Sequence, residues 1–379
     1  MPEFYQTHLR SCLSPAQFLL LLLVIQLLQT LKTVKLESLA ANLPIPIQSE
    51  SRLRKLKRFL SLSEFTFERL WHPILVEQLH RAHAPGASIY VALDRTQWKQ
   101  TNLLVLSWVQ SGRAIPIYWI ELSHLGSSNF KEQKKLLLKA LRPLKEYKVV
   151  VLGDREFCSV KLARWLNYQE VYCCLRLRCH EYLQQFNGDW QQLKQLGLKP
   201  GMQAFFRGVN VTKTHQVSGF QVAACWRGKY RGKVAKEGWF LLTNLSSLQA
   251  ATRAYAKRMG IEQMFRDCKS GGYHLEGTGL KGNRLIALLL VLTLAYGAAT
   301  FVGQKVRQRG VAHYIARPSQ SPRSRPRHSH FYTGLYAYGW VNFADTCADL
   351  VDALLQLSPG KRPFYQRGQR AMSLIRSTL

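Results

Sequence analysis

Apolar and polar positions along the chain separate a helical N-terminal region from a centre of mixed strands and helices. Residues 1–85 carry helix-type apolar spacing, including a continuous apolar run at 18–31. Three short apolar runs with polar breaks come next and predict an antiparallel meander: 89–93, 103–109 and 114–121. The chain therefore changes from helices to strands near Ser88.

The meander leads into elements that alternate between helix and strand. The pattern predicts a basic amphipathic helix at 130–141, a strand at 148–152, a helix at 160–166 and a strand at 171–177. This β-β-β-α-β-α-β order matches the ribonuclease-H-like fold, in which the first and fourth strands lie side by side. The sequence thus predicts an α/β protein with a ribonuclease-H-like core.

Two carboxylates follow directly after two of these strands. Asp94 ends the run at 88–94, and Asp154 ends the run at 148–154. Functional groups of α/β sheets gather at the carboxyl ends of strands, and adjacency of the first and fourth strands would bring the two aspartates together. The alternative is that each aspartate only begins a turn.

Four polar side chains recur at helical spacing further along: Tyr255, Arg258, Glu262 and Lys269, in the pattern Y-x2-R-x3-E-x6-K. On one continuous helix, at about 100° per residue, they fall within an arc of roughly 60°. Such a stripe suits a site that holds a metal through Glu262 and phosphates through the two cations. The alternative is an exposed face with an Arg258–Glu262 pair at i, i+4. A break at Gly260 would divide the stripe.

Together these residues resemble the DDE triad and the YREK signature of insertion-sequence transposases. The triad would be Asp94, Asp154 and Glu262, and the resemblance is to the bacterial cut-and-paste family of the insertion-sequence-four type. The local sequences agree with it, Asp-Arg-Thr-Gln-Trp at 94–98 and Gly-Asp-Arg-Glu-Phe at 153–157. The similarity extends over residues 88–269.

The resemblance implies phosphoryl transfer that depends on two Mg²⁺ ions, for which Mn²⁺ is expected to substitute. Asp94 would bridge both ions, while Asp154 and Glu262 would each hold one. Water would first nick the end of the element, and the freed 3′-hydroxyl would then attack a phosphodiester of the target.

The resemblance also assigns contacts with DNA. Arg258 and Lys269 would bind phosphates, Tyr255 would orient one, and Trp239 would stack on a base flipped out during excision through a hairpin. For Trp239, a core tryptophan at the start of a strand is an equal alternative. The expected partners are duplex DNA with terminal inverted repeats, target DNA and a second copy of the chain in a synaptic homodimer.

The stretch between Asp154 and Glu262 is too long for the bare core, and its alternating pattern predicts a β-rich insertion. Helices at 33–40 and 49–60, separated by Leu-Pro-Ile-Pro, resemble a helix–turn–helix, although helical bundles have the same pattern. Five segments are expected: an N-terminal helical DNA-binding region at 1–85, the first part of the core at 86–179, the insertion at 180–238, the second part of the core with the Glu262 helix at 239–310, and a basic C-terminal region at 311–379.

The charge of the chain agrees with a polyanionic partner. Lysine and arginine number 53 against 22 aspartates and glutamates, a formal net charge of +31. Such an excess predicts binding to nucleic acid that weakens as salt rises. The basic residues are concentrated in four blocks: 52–58, 131–148, 227–233 and 317–327.

The cysteines and the apolar runs indicate a cytoplasmic protein without a membrane span. The eight cysteines lack a C-x2-C pair and show no disulfide framework. Cys174, Cys179 and His180 would make a partial zinc site. A buried strand is the better explanation for Cys174. The run at 18–31 is too short to cross a bilayer; 285–302 is just long enough, yet a buried core helix is favoured.

Three further functions from other classes stay open at this stage. A DNA-binding regulator of transposition would keep the fold without the chemistry, although an intact triad argues against it. A ribonuclease-H-like nuclease would cleave without strand transfer. A membrane protein would need the 285–302 segment to partition into detergent.

Overall fold

The computed structural model describes residues 1–110, 112–185, 188–213, 217–228, 235–317, 327–357 and 359–379. They form two compact units: the sheet unit, residues 75–264, and the helical unit, residues 1–74 and 265–379. Of the basic blocks singled out above, residues 229–233 and 318–326 lie outside the described residues.

Helices occupy both ends of the chain, and the predicted helical character of residues 1–85 is confirmed. The α-helices are α1 Glu3–Cys12, α2 Pro15–Leu31, α3 Leu36–Ala41, α4 Ser49–Phe59, α5 Phe67–Leu70, α6 His72–Ala82, α7 Phe130–Ala140, α8 Val160–Tyr168, α9 Leu248–Lys257, α10 Met259–Cys268, α11 Gly282–Gln308, α12 His330–Thr346, α13 Ala348–Gln356 and α14 Arg362–Arg376.

The sheet unit contains one ten-stranded sheet, with the strand order β3-β2-β1-β4-β5-β10-β9-β8-β6-β7. The strands are β1 Ser88–Trp98, β2 Thr101–Gln110, β3 Arg113–Glu121, β4 Lys148–Gly153, β5 Tyr172–Arg176, β6 Tyr182–Gln184, β7 Trp190–Gln192, β8 Gln203–Val211, β9 Val217–Cys225 and β10 Trp239–Thr243. The meander β1–β3 is antiparallel, and β4 pairs parallel with both β1 and β5. The predicted α/β class and the adjacency of the first and fourth strands are confirmed.

The predicted insertion is β-rich, since strands β6 to β9 fall within residues 180–238. However, these strands do not form a sheet of their own. β10 pairs antiparallel with β5 on one side and with β9 on the other, so the insertion extends the central sheet. The sequence pattern predicted the β-rich character of the insertion but gave no sign of this continuity.

The middle of the sheet is held by an apolar cluster against α9. Val150 and Leu152 of β4 point to one face, and they pack with Leu241 of β10 and with Ala251 and Ala254 of α9. Ser247 caps α9 by accepting a hydrogen bond from the Ala250 amide at 3.2 Å. This packing holds α9 against one face of the central strands.

The helical unit is built around two apolar helices, α2 and α11. Gln29, fully buried in α2, donates to the Ala295 carbonyl at 2.6 Å and accepts from the Tyr273 hydroxyl at 3.1 Å. Helices α11 and α12 touch through their backbones, because a Cβ added at Gly303 would lie 1.8 Å from the His330 carbonyl oxygen. Their close packing requires the glycine.

Within the described residues, α11 is the one helix long and apolar enough to cross a bilayer. In its most apolar stretch, 83% of the residues are buried inside the protein, as they also are in a core helix. The expectation of no membrane association stays a prediction. The two helices of the proposed helix–turn–helix exist as α3 and α4, while their role in reading DNA is likewise a prediction.

Candidate functional site

Strand pairing brings Asp94 and Asp154 together. In the parallel pair β1–β4, Leu93 lies opposite Gly153, and the two aspartates are the next residues on their strands. The expectation that the first strand ends at Asp94 is wrong, because β2 continues to pair with β1 as far as Trp98. Asp94 therefore lies where β1 leaves β4 but stays paired with β2.

Gly153 lets the second aspartate leave the sheet at this point. A Cβ on Gly153 would lie 2.9 Å from the Phe157 Cβ and 3.0 Å from the Leu175 Cδ2. Any larger residue would push the turn after β4 away from β5. The Gly-Asp pair is therefore a packing requirement as well as a chemical one.

The third carboxylate, Glu262, lies on a helix as predicted, but not on the helix that carries Tyr255. Tyr255 lies on α9 and Glu262 on α10, and Arg258 occupies the junction between them. The Arg258 amide donates to Tyr255 and the Ile261 amide donates to Arg258, three residues back in each case, so the turn is tighter than an α-helix. The single continuous stripe is therefore wrong.

Gly260 explains how this junction packs closely against the β2–β3 hairpin of the same unit. A Cβ added there would lie 2.8 Å from the Val109 Cγ1 and 3.2 Å from the Arg113 carbonyl carbon. The start of α10 thus lies directly on the β2–β3 hairpin. The break occurs at Arg258, two residues before the glycine that the sequence suggested.

Arg258 connects the strand-borne and helix-borne acids. Its Nη1 donates to Asp94 Oδ2 at 3.0 Å, and its Nη2 pairs with Glu262 Oε1. The side chains of Arg258 and Asp94 are 11% and 15% exposed, whereas that of Glu262 is 42% exposed. The predicted i, i+4 pair is present, but as part of a three-residue bridge rather than a solvated helix face.

The environment of Asp94 opposes its ionisation. Burial raises its pKa from 3.8 to about 6, while Arg258 and the Arg95 amide lower it. The carboxylates of Asp154 and Glu262 lie close enough to raise the pKa of Asp94 further. Three acids thus meet at one place, and their mutual repulsion favours a bound cation.

Tyr255 and Trp239 form one wall beside the acids. Their rings meet edge to face, with centroids 4.9 Å apart, and Arg227 lies over the tryptophan ring at 4.8 Å. Tyr255 is buried, and burial raises the pKa of its phenol. Trp239 is only partly buried and packs on the apolar cluster under α9.

Lys269 follows the last residue of α10 and belongs to the helical unit. Its Nζ pairs with Glu276 Oε1 at 2.6 Å. Its amide donates to the Phe265 carbonyl at 2.9 Å, so Lys269 continues the helix that carries Glu262, and the break at Arg258 separates both residues from Tyr255. A phosphate contact by Lys269 stays a prediction.

A charged network lies beside the aspartates. Its two charged residues belong to the motifs at 94–98 and 153–157, but the sequence did not predict that they pair. Arg95 Nε donates to both carboxylate oxygens of Glu156, at 3.0 and 3.1 Å. Ser128 donates to Glu156 through its amide at 2.9 Å and its hydroxyl at 3.1 Å. The available signal was a basic residue directly after one acid and an acidic residue two positions after the other.

The donor set fits a hard divalent cation, because Asp94, Asp154 and Glu262 offer carboxylate oxygens alone. Across the described residues, no group of three or more His, Cys, Asp or Glu is arranged to hold a metal ion as it stands. Arg258 instead lies between Asp94 and Glu262. Cys174, of the weak zinc candidate, is buried and donates to the Ala251 carbonyl at 3.5 Å.

Comparison with known proteins gives one family. Residues 99–297 match the family model described as a transposase DDE domain; the match begins just after Asp94 and includes Asp154 and Glu262. No curated protein matches the chain.

Several solved structures are similar to the chain, among them two at low identity. One is a piggyBac transposase synaptic complex with hairpin DNA, at 12% identity and a TM-score of 0.43, covering 89% of this chain and 75% of that one. The other is the Argonaute of Marinitoga piezophila with guide RNA and target DNA, at 11% identity and a TM-score of 0.23, covering 66% and 37%.

Proposed function

This chain belongs to the transposase DDE domain family, enzymes that cleave DNA and transfer its strands, and we propose that it moves its own insertion sequence. In this proposal it cuts the ends of the element and joins them to target DNA by cut-and-paste. The observation that carries the proposal is the meeting of Asp94, Asp154 and Glu262 around one arginine.

The strand arrangement supports a ribonuclease-H-like assignment for the core. An antiparallel meander is followed by the parallel strands β4 and β5, and two acids follow paired positions on β1 and β4. The third acid comes from a helix that follows the sheet. Membership of the insertion-sequence-four type rests on the Tyr255, Arg258, Glu262 and Lys269 spacing.

Asp94, Asp154 and Glu262 would hold the divalent ions, with Mg²⁺ proposed as the physiological metal and Mn²⁺ as a substitute. When bound, such ions activate the attacking oxygen and stabilise the leaving one in an in-line displacement. The chain's own acids would set where that displacement occurs. The raised pKa of Asp94 supports this role, because a nearby cation would restore its ionised form.

Arg258 is suited to bind DNA phosphate once its carboxylate partners bind cations. Its Nε is buried and has no acceptor among the described residues. A guanidinium can donate from several nitrogens at once, which matches phosphate geometry. We assign Arg258 to a phosphate at the cleavage point, with Tyr255 beside it and Lys269 as a further phosphate contact.

Trp239 is proposed as the stacking partner of a flipped base in a hairpin route. Its partial exposure and its edge contact with Tyr255 support this role, while its packing on the core supports the structural alternative. The net charge of +31 supports duplex DNA as the partner, contacted in part by the N-terminal helices. A homodimer on paired ends and a cytoplasmic location complete the proposal.

The test is cleavage of a duplex that carries the repeats flanking the gene, with Mg²⁺ or Mn²⁺, resolved on a sequencing gel. Glu262→Gln should lower the rate about a thousandfold, or about 4 kcal/mol of transition-state stabilisation, while duplex binding persists. The matched control is Glu77→Gln, which neutralises an exposed carboxylate on α6 that pairs with Arg81. It should cleave as wild type does.

Each outcome separates the candidate functions. Cleavage at the repeat boundary followed by joining to a second duplex supports the transposase. Cleavage without joining would replace it with a nuclease. Binding without cleavage in either metal would replace it with a regulator, and equal cleavage by wild type and Glu262→Gln would mean that Glu262 is not the third acid.

A further inference from the structure

We propose that Arg95 and Glu156 are positioning residues that set the separation and orientation of Asp94 and Asp154. This inference rests on the proposed function, because it concerns the same acids. It adds two residues that touch neither the reacting phosphate nor a metal and act through the acids. We call their contact the Arg95–Glu156 brace.

Each catalytic aspartate is oriented by the backbone of a brace residue. The Arg95 amide donates to Asp94 Oδ1 at 2.8 Å, and the Glu156 amide donates to Asp154 Oδ1 at 2.9 Å. The donating amide is one residue after Asp94 and two residues after Asp154. One carboxylate oxygen of each acid is fixed by an amide whose own side chain belongs to the brace.

The side chains join these two oriented amides to each other. Arg95 Nε lies 3.0 and 3.1 Å from the two oxygens of Glu156, although 61 positions separate the residues. The two side chains are 19% and 17% exposed, so water screens the pair little. The link crosses from β1 to the turn after β4, where pairing between those strands has ended at Leu93 and Gly153.

The arginine end of the brace is anchored to the neighbouring strand. Arg95 Nη1 donates to Asn102 Oδ1 at 3.0 Å, and fully buried Asn102 donates to the carbonyls of His124 and Gly126 at 2.7 and 2.9 Å. Arg95 Nη1 also donates to Gln97 Oε1 at 2.9 Å. Rotation of the guanidinium would break several of these bonds together.

The glutamate end is anchored to the segment that precedes α7. Ser128 supplies both an amide and a hydroxyl donor to Glu156 Oε1, and buried Gln133 donates to the Ser128 hydroxyl at 3.1 Å. Glu156 therefore has donors on two sides. A half-buried carboxylate with this many donors is held in one orientation.

A general structural role explains the contacts less well than a positioning role. A buried ion pair is often no more stabilising than apolar residues of the same size. Its special property here is location, one residue after Asp94 and two after Asp154. The pair is also neutral as a whole, so it fixes the acids without adding net charge to their site.

The test compares Glu156→Gln with a matched control, Glu132→Gln. Glu132 is also a half-buried carboxylate near Ser128, but it caps α7 through Asn129 and pairs with His124. Glutamine completes a capping box as glutamate does, so the control should fold and act normally. Three quantities are measured on the full chain: the Mn²⁺ dissociation constant by calorimetry, duplex binding in EDTA, and single-turnover cleavage.

Glu156→Gln should weaken Mn²⁺ binding by roughly 10- to 100-fold and slow cleavage similarly, because partners that orient metal ligands have effects of that size. Duplex binding in EDTA should stay within about twofold of wild type, since phosphate contacts are unchanged. Ser128→Ala removes only one of the donors to Glu156 and should shift Mn²⁺ affinity in the same direction by less. If Glu156→Gln does not fold, Ser128→Ala takes its place as the test variant.

Unchanged Mn²⁺ affinity in folded Glu156→Gln and Ser128→Ala would overturn the brace, even if their melting temperatures fall. An equal loss in Glu132→Gln would also overturn it. If wild type binds Mn²⁺ but never cleaves DNA, the proposed function fails while the brace is still judged by Mn²⁺ affinity. If wild type binds no Mn²⁺, the brace has no site to position and is rejected.

Discussion

The site is made of two halves that are held in different ways. In the strand-borne half, Asp94 and Asp154 follow paired residues of β1 and β4, and each accepts a hydrogen bond from a nearby backbone amide. In the helix-borne half, Glu262 is 42% exposed and pairs with Arg258. Sheet hydrogen bonds fix the first half, whereas one arginine and one close helix contact align the second.

This difference indicates which half can move. The acids on the strands are braced by a network in which several bonds would have to break together. Glu262 can change rotamer by giving up a single ion pair, at low cost for an exposed group. We expect the helix-borne acid to adjust to metal and DNA around a fixed pair of aspartates.

The largest expected effect is the free energy that the folded protein loses when Asp94 ionises in its fixed position. The rise of its pKa from 3.8 to about 6 corresponds to about 3 kcal/mol at most. Because the folded state favours the protonated acid, this penalty is absent below about pH 4, grows as pH rises, and is complete above about pH 6. Metal-free wild type should therefore lose stability across that window relative to Asp94→Asn.

Urea unfolding in EDTA at a series of pH values between 4 and 7 measures this difference. Both proteins share every other titrating group, so the difference between their unfolding free energies isolates Asp94. Parallel curves for the two proteins would show that the strand-borne half does not oppose ionisation. The comparison between the halves would then lose its electrostatic part.

A smaller effect is expected where α10 meets the β2–β3 hairpin. Gly260→Ala places a Cβ 2.8 Å from the Val109 Cγ1, so the start of α10 must move. We expect a loss of about 2 kcal/mol in the free energy of unfolding, the usual size for overpacking. Gly277→Ala, where a new Cβ would have nothing within 4 Å, is the matched control.

Chemical denaturation measures both variants, and cleavage rates then show whether moving α10 matters for the reaction. A fall in rate for Gly260→Ala at full folding would show that the alignment of Glu262 depends on this contact. Equal stability of the two alanine variants would contradict the close approach itself.

The smallest effect concerns the residue that joins the halves. Arg258→Lys keeps the charge but not the fork that reaches Asp94 and Glu262 together. We expect single-turnover cleavage to fall about tenfold, or ~1.4 kcal/mol. Exposed Arg253 on α9 offers the control Arg253→Lys, which should have the wild-type rate. A wild-type rate for Arg258→Lys would mean that the fork geometry is not used.

The sequence predicted the strand-borne half well and the helix-borne half only in part. Strands β1 and β4 could be placed side by side because element order restricts the topology, and Asp94 and Asp154 follow from that order. Gly260 suggested a break, but its position at Arg258 could not be predicted, since it accompanies the contact of Gly260 with Val109, which is distant in sequence. A 3.6-residue period describes one helix and carries no information on where tertiary contacts end it.

Long-range pairing limited the rest of the prediction in the same way. The residues of the Arg95–Glu156 brace lie far apart in the chain, and neither belongs to a periodic pattern. The pairing of β10 with both β5 and β9 depends on register between distant segments. Apolar alternation identifies a strand and its buried face but does not identify its neighbours.

The shared strand β10 has a consequence for how this protein could have acquired its insertion. A segment that folded separately could be gained or lost as a cassette, leaving the older core intact. Here β10 pairs with β9 across five residues, from Trp239 opposite Cys225 to Thr243 opposite Gln221. Deleting residues 180–238 would expose that edge to pairing with other chains and favour aggregation. The insertion therefore closes an edge that the core alone would leave open.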